Sequence, residues 1–126
     1  MKLNYAKFIP AILGFIATLI LLILPGSDIP KAQWLDDIHA DKIVHIGMFA
    51  SIVFLWCWPL KKSGVDVRKK RNWFLFVTIS AIAYGVAMEF VQKYFIPNRS
   101  FDVYDMIADG AGAVAGYIWS RIFFID

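Results

Sequence analysis

The stretch Trp73–Phe95, WFLFVTISAIAYGVAMEFVQKYF, is apolar along nearly its whole length and carries charge only at Glu89 and Lys93. Its length is close to the roughly 20 helical residues that cross the hydrocarbon core of a bilayer, so it predicts a transmembrane helix. Three more stretches share this character, at about Phe8 to Leu24, Ile43 to Leu60 and Met106 to Ile125. Pro25-Gly26, Pro59 and Pro97 end the first three, as residues that cannot continue a helix or are rarely found inside one. The connections are short, which favours neighbours of alternating direction. The expected fold is all-α, an integral membrane four-helix bundle of up-and-down topology, forming one domain over residues 1–126.

The rest of the composition agrees. Of the 126 residues, 60% are hydrophobic and 18% charged, with a mean hydropathy of +0.60. A soluble domain of this size buries only about two thirds of its surface and could not hide so many large apolar side chains. A soluble enzyme, a disordered tail and a nucleic-acid module are thereby excluded as first readings. The single cysteine, Cys57, excludes a disulfide framework or a cysteine zinc site within one chain. Lys2 and Lys7 before the first run resemble a signal peptide. The run is long, however, and no small-x-small cleavage site precedes Asp28, so a membrane anchor is expected.

Orientation follows from the 13 basic residues, because Lys and Arg in short loops resist translocation. Lys61, Lys62, Arg68, Lys69, Lys70 and Arg71 all lie between the second and third runs, Lys2 and Lys7 precede the first, and Arg121 lies near the end of the fourth. The segments 25–42 and 96–103 hold only Lys31, Lys42 and Arg99. Both termini and the central loop 61–72 are therefore expected in the cytoplasm, and segments 25–42 and 96–103 outside it. Tyr5, Trp56, Trp58, Trp73 and Trp119 would mark the inner interface, and Trp34, Tyr94 and Tyr104 the outer one. The basic loop accounts for the pI of about 9.1. It reads first as a topology signal, and otherwise as a surface for anionic lipid or nucleic acid.

A second polar set gathers near the outer ends of the second, third and fourth runs. Asp41 and His45 are four apart and share a helix face, with Lys42 between them. Asp41 can also be read as a helix cap and Lys42 as a snorkelling cation. His45 lies one turn inside the apolar run, where a polar group needs a partner or water. Glu89 and Gln92 share a face of the third run, and Glu89 must be paired, hydrated or protonated, either in an ion pair with Lys93 or Arg99 or as a site residue. Arg99, after Pro97, has the guanidinium fork suited to phosphate. Asp102, Asp105 and Asp109 follow at spacings of three and four, Asp102 also suiting an N-cap and Asp105 the first turn of a helix. Gly112 and Gly116 form a GxxxG pair on the same face and predict close helix packing.

These residues form a combined motif: Asp41-Lys42-x-x-His45-x-x-x-Phe49, then Glu89-x-x-Gln92-x-x-x-x-Pro97-x-Arg99-x-x-Asp102-x-x-Asp105-x-x-x-Asp109-Gly110-x-Gly112-x-x-x-Gly116. Over about residues 8 to 124 it resembles the VanZ-like family of small bacterial membrane proteins, named after a teicoplanin-resistance protein. The resemblance implies a bacterial cell membrane and strengthens the choice of His45, Glu89, Gln92, Arg99, Asp102 and Asp105. The family usually has Asn where this chain has Asp109, so any role of a neutral amide there falls to a carboxyl group.

The leading functional expectation is binding of an anionic lipid or lipid-linked envelope precursor at the outer membrane face. Arg99, Lys42 and Gln92 would contact the ligand, which could alter glycopeptide tolerance. The alternative is a membrane hydrolase or transferase with His45, Glu89 and Asp105 as catalytic candidates. Asp102, Asp105 and Asp109 would then hold a divalent cation, although neither an HExxH spacing nor a nucleophile motif is present. A third reading is a non-catalytic scaffold whose Gly-rich faces bind a second copy or another membrane protein. A transporter fits less well, since four spans leave little room for a gated path.

Overall fold

The computed structural model describes residues 3–25, 33–34, 38–99 and 101–125. Lys2, Gly26, Asp28, Lys31 and Ser100 lie outside the described residues, as does most of the segment between the first two long helices. The described residues form helices and connections, with no strand among them. Helix α1 spans Ile9–Ile23 behind a 3-10 turn at Tyr5–Phe8, and α2 spans Ala40–Cys57 with a 3-10 turn at Trp58–Leu60. Helix α3 spans Val67–Phe95 and α4 spans Val103–Phe123.

Local chemistry sets the ends. Asn4 caps the first turn by accepting from the Ala6 amide at 3.0 Å, and Pro10 sits in the first turn of α1, where its missing N–H costs nothing. Leu24 turns to an extended conformation before Pro25, which disfavours a helical predecessor. The residue before α2 is His39 in a left-handed conformation, so Asp41 lies in the first turn and does not cap it. Helix α3 begins at Val67, ahead of the apolar run, because the intervening Lys and Arg side chains are good helix formers, and Arg68, Lys69 and Arg71 are exposed while Lys70 is buried. Asp102 does cap α4, its carboxylate accepting from the Tyr104 amide at 2.9 Å. The helix therefore starts at Val103, ahead of the expected boundary at Met106.

Three helical segments are long and apolar enough to cross a membrane: Tyr5–Ile23, Ala40–Leu60 and Val67–Phe95. The fourth expected span is also a helix, with 21 residues, but Asp105, Asp109 and its glycines lower its apolarity. Helix α4 uses that face inside the molecule. Gly112 lies against the backbone of Ile46, and a Cβ on Gly116 would come 2.7 Å from the Ala50 carbonyl oxygen. Phe49, Val53 and Cys57 of α2, Phe74 of α3 and Ala113 of α4 are wholly buried in the core. The buried hydroxyls of Thr78 and Ser120 donate to Phe74 and Gly116 carbonyls four residues back, both at 2.8 Å. Leu75, Phe76 and Ile79 of α3 and Ile107, Ile118 and Ile122 of α4 point outward. Such an apolar exterior suits lipid and would be an aggregation hazard in water.

Candidate functional site

Helices α2 and α4 run side by side in the same direction, and their pairs climb in step. Lys42 meets Asp102 and Asp105, His45 meets Asp105 and Asp109, Ile46 meets Gly112, and Ala50 meets Gly116. The two glycines remove side chains where the backbones touch, which holds the polar rungs within hydrogen-bonding reach. From the third side, Gly85 of α3 packs so closely that a Cβ there would lie 2.8 Å from Asp109 Oδ2 and 3.1 Å from Phe49.

The upper rung centres on the Lys42 ammonium. Its Nζ donates to Asp41 at 2.5 Å, and to Asp102 and Asp105 at 2.7 Å each. The hydrogen bond from Lys42 holds the Asp102 carboxyl below the usual carboxylate range. Below it, His45 Nδ1 lies 2.6 Å from Asp109 Oδ1, while its Nε2 faces Asp105 Oδ2 at 3.7 Å. With Asp109 as acceptor, the imidazole donates from Nδ1, which fixes the ring and leaves Nε2 turned toward Asp105. Glu89 of α3 is fully buried and accepts from the Asp102 backbone amide at 2.6 Å. It thereby satisfies a donor at the start of α4, where a carboxylate also complements the helix dipole. Lys93, one expected partner of Glu89, instead places its ammonium over the Tyr94 and Phe101 rings.

Gln92 and Arg99 face α1. Its last carbonyls lack helical partners because the chain turns extended at Leu24 and Pro25 has no N–H. Gln92 Nε2 donates to the Leu22 carbonyl at 2.8 Å. Arg99 donates from Nε to Leu24 and from Nη2 to Leu21, both at 2.9 Å. The left-handed Asn98 (φ 59°) reverses the chain just before Arg99. Part burial lowers the Arg99 pKa, against the opposing charges of Asp105 and Glu89. A guanidinium stays cationic under such a shift. Sequence reasoning had no α1 partner for either residue. The available signal was the pair Leu24-Pro25, since unpaired carbonyls at membrane depth require donors.

The structure thus brings together Asp41, Lys42, His45, Glu89, Asp102, Asp105 and Asp109, and turns Gln92 and Arg99 toward the end of α1. Asp41, Asp102 and Asp105 have carboxylate oxygens within 4.8 Å of one another, a spacing that could hold a cation. Asp109, expected in that set, is engaged with His45, and Asp41 stands in its place. Lys42 already occupies the centre of this trio. Carboxylates outnumber permanent cations here, and among the described residues no buried side-chain polar atom lacks a partner.

Neither the curated proteins nor the solved structures contain a match to this chain. A family model for VanZ/LLP1 matches residues 3–124, the span that carries both the paired α2 and α4 rungs and the α1 caps. The chain belongs to the VanZ/LLP1 family.

Proposed function

We propose that this chain is an integral membrane protein of the bacterial cell envelope that binds an anionic lipid or lipid-linked precursor at the outer membrane face, with Lys42 meeting the head group. In this reading the helices form an up-and-down bundle with both termini and loop 61–72 in the cytoplasm. The contacts of Gln92 and Arg99 with α1 and of Lys42 with α4 support one shared polar end. The ring contacts of Phe8 with Trp56 and Trp73, and of Phe54 with Phe124, support an aromatic end opposite.

One observation carries the head-group assignment: the cluster is graded from open to closed. Side-chain exposure falls from 57% at Asp41 and 23% at Lys42 to 13% at Asp105, and to 3% at Asp109. Such a polar mouth admits a charged head group and excludes an acyl chain. An incoming phosphate competes first with Asp41, whose exposed carboxylate can return to water at little cost. Asp102 and Asp105 remain beside Lys42, so the mouth favours a phosphate accompanied by an amine or a divalent cation. Binding of this kind would change precursor access at the surface, a route to altered glycopeptide (teicoplanin) tolerance.

The test uses an anionic, amine-bearing head group without chains, glycerophosphoserine, added to purified protein and followed by saturation-transfer NMR. Lys42→Met abolishes the signal and Asp41→Asn strengthens it. Equal signals in wild type and Lys42→Met would remove Lys42 from the site.

The trio Asp41, Asp102 and Asp105 favours a second reading, a metal-dependent hydrolase or transferase acting on a lipid head group. A divalent cation would have to expel the Lys42 ammonium, which could then meet substrate phosphate. His45, oriented by Asp109, would present Nε2 as a general base. Manganese titration followed by electron paramagnetic resonance separates the readings. The metal reading requires binding that Asp105→Asn abolishes and Lys42→Met enhances, and absence of binding in both wild type and Lys42→Met eliminates it.

A further inference from the structure

We propose a second lipid site at the basic end of the molecule, a groove between α1 and α3 that takes one acyl chain of an anionic phospholipid while Lys69 meets its phosphate. The groove has a volume of about 270 Å³ and is lined by Phe15 of α1, Trp56 of α2, and Trp73, Phe76, Ser80 and Tyr84 of α3. The α3 residues recur at spacings of three and four and so form one stripe. One turn before Trp73 the same stripe carries the exposed Lys69.

The walls are fixed in place. Trp73 Nε1 donates to the Trp56 carbonyl at 2.8 Å, and the Phe8 ring stands nearly perpendicular to the Trp73 ring at 6.1 Å. At the far end the Tyr84 ring lies 5.0 Å from Phe15 and 5.7 Å from Phe49, and its hydroxyl is 3.4 Å from that of Thr18. The groove is thus closed at Tyr84 and open along its lipid side, where Phe76 is 61% exposed.

Length and charge select the occupant. From Trp73 to Tyr84 the helix rises roughly 16 Å, at about 1.5 Å per residue. That is close to half of a hydrocarbon core about 30 Å thick, the depth of one leaflet. The groove therefore starts at the basic interface and ends near the midplane, as one acyl chain does. Lys69, with Lys61, Lys62, Arg68 and Arg71 in the same short segment, makes this interface cationic and complementary to a lipid phosphate. A purely apolar occupant would leave this charge unused, and a free phosphate would leave the aromatic walls unused. The site stands at the opposite end from the Lys42 cluster and does not depend on it.

Native mass spectrometry of the detergent-purified chain tests the proposal, with phosphatidylglycerol and phosphatidylcholine of matched chains added in equal amounts. The measurement is made in the Lys42→Met background, which removes the head-group contact at the other end; this chain retains one phosphatidylglycerol in preference to phosphatidylcholine. Added to it, Ser80→Trp, which fills the groove from an exposed position, abolishes retention, and Lys69→Glu removes the preference. Ile79→Trp, on the neighbouring lipid-facing surface, leaves the adduct in place. The proposal is overturned if the Lys42→Met chain shows no preference, if folded Ser80→Trp in that background retains the lipid, or if Lys69→Glu keeps the preference. Lys69→Glu lies outside the core, so it remains decisive should Ser80→Trp fail to fold.

Discussion

Asp102 performs two tasks with one side chain, capping α4 through one carboxylate oxygen and receiving Lys42 on the other. Its depressed pKa fixes the sign of a pH effect. The folded state favours the charged form, so the stabilisation is complete above the unfolded value of about 4 and is lost as pH falls through the lower folded value. Asn caps a helix as well as Asp does, so Asp102→Asn isolates the charge. Thermal melting in detergent should show Asp102→Asn less stable than wild type at neutral pH, with the gap closing under strongly acidic conditions. At Asp109, Asn can still accept from His45, so Asp109→Asn should melt close to wild type. Asp109→Leu strands the buried imidazole and should cost about 1–3 kcal/mol. Polar residues such as His45 and Glu89 stood out in the sequence because a bilayer makes them costly. Their partners did not stand out, since Asp102 offers its amide to Glu89 only after α3 and α4 have packed.

At the scale of elements, α2 and α4 form the frame on which the polar rungs hang, and the frame depends on Gly112 more than on Gly110. A Cβ on Gly112 collides with the Ile46 backbone, whereas a Cβ on Gly110 meets nothing within 4 Å. Gly112→Ala should therefore lower the melting temperature. Gly110→Ala should leave it unchanged or raise it, by up to about 1 kcal/mol of helix propensity. Equal effects at the two positions would show that helix propensity, and not the α2 contact, governs this face. The apolar runs disclosed the helices because bilayer thickness imposes their length. Starts such as Val67 and Val103 were less legible, because charged and polar residues extend a helix into the interface without apolar signal. The GxxxG spacing indicated a packing face, but nothing in it named α2 as the neighbour.

For the whole molecule, the proposed orientation rests on the uneven placement of Lys and Arg, and side-specific labelling tests it. In the Cys57→Ala background, a cysteine at Tyr104 should react with a membrane-impermeant maleimide in intact cells, while one at Lys62 should react only after lysis. The reverse pattern would place the polar mouth in the cytoplasm. The central claim is that this mouth holds a head group through Lys42, and photo-cross-linking in the native membrane tests it most directly. Tyr104, exposed beside the Asp102 cap, would be replaced by a benzophenone amino acid, and the captured lipid identified by mass. The account predicts a phosphate-bearing lipid whose capture is lost in Lys42→Met and increased in Asp41→Asn. Capture of the same lipid at the same yield in folded Lys42→Met would contradict it.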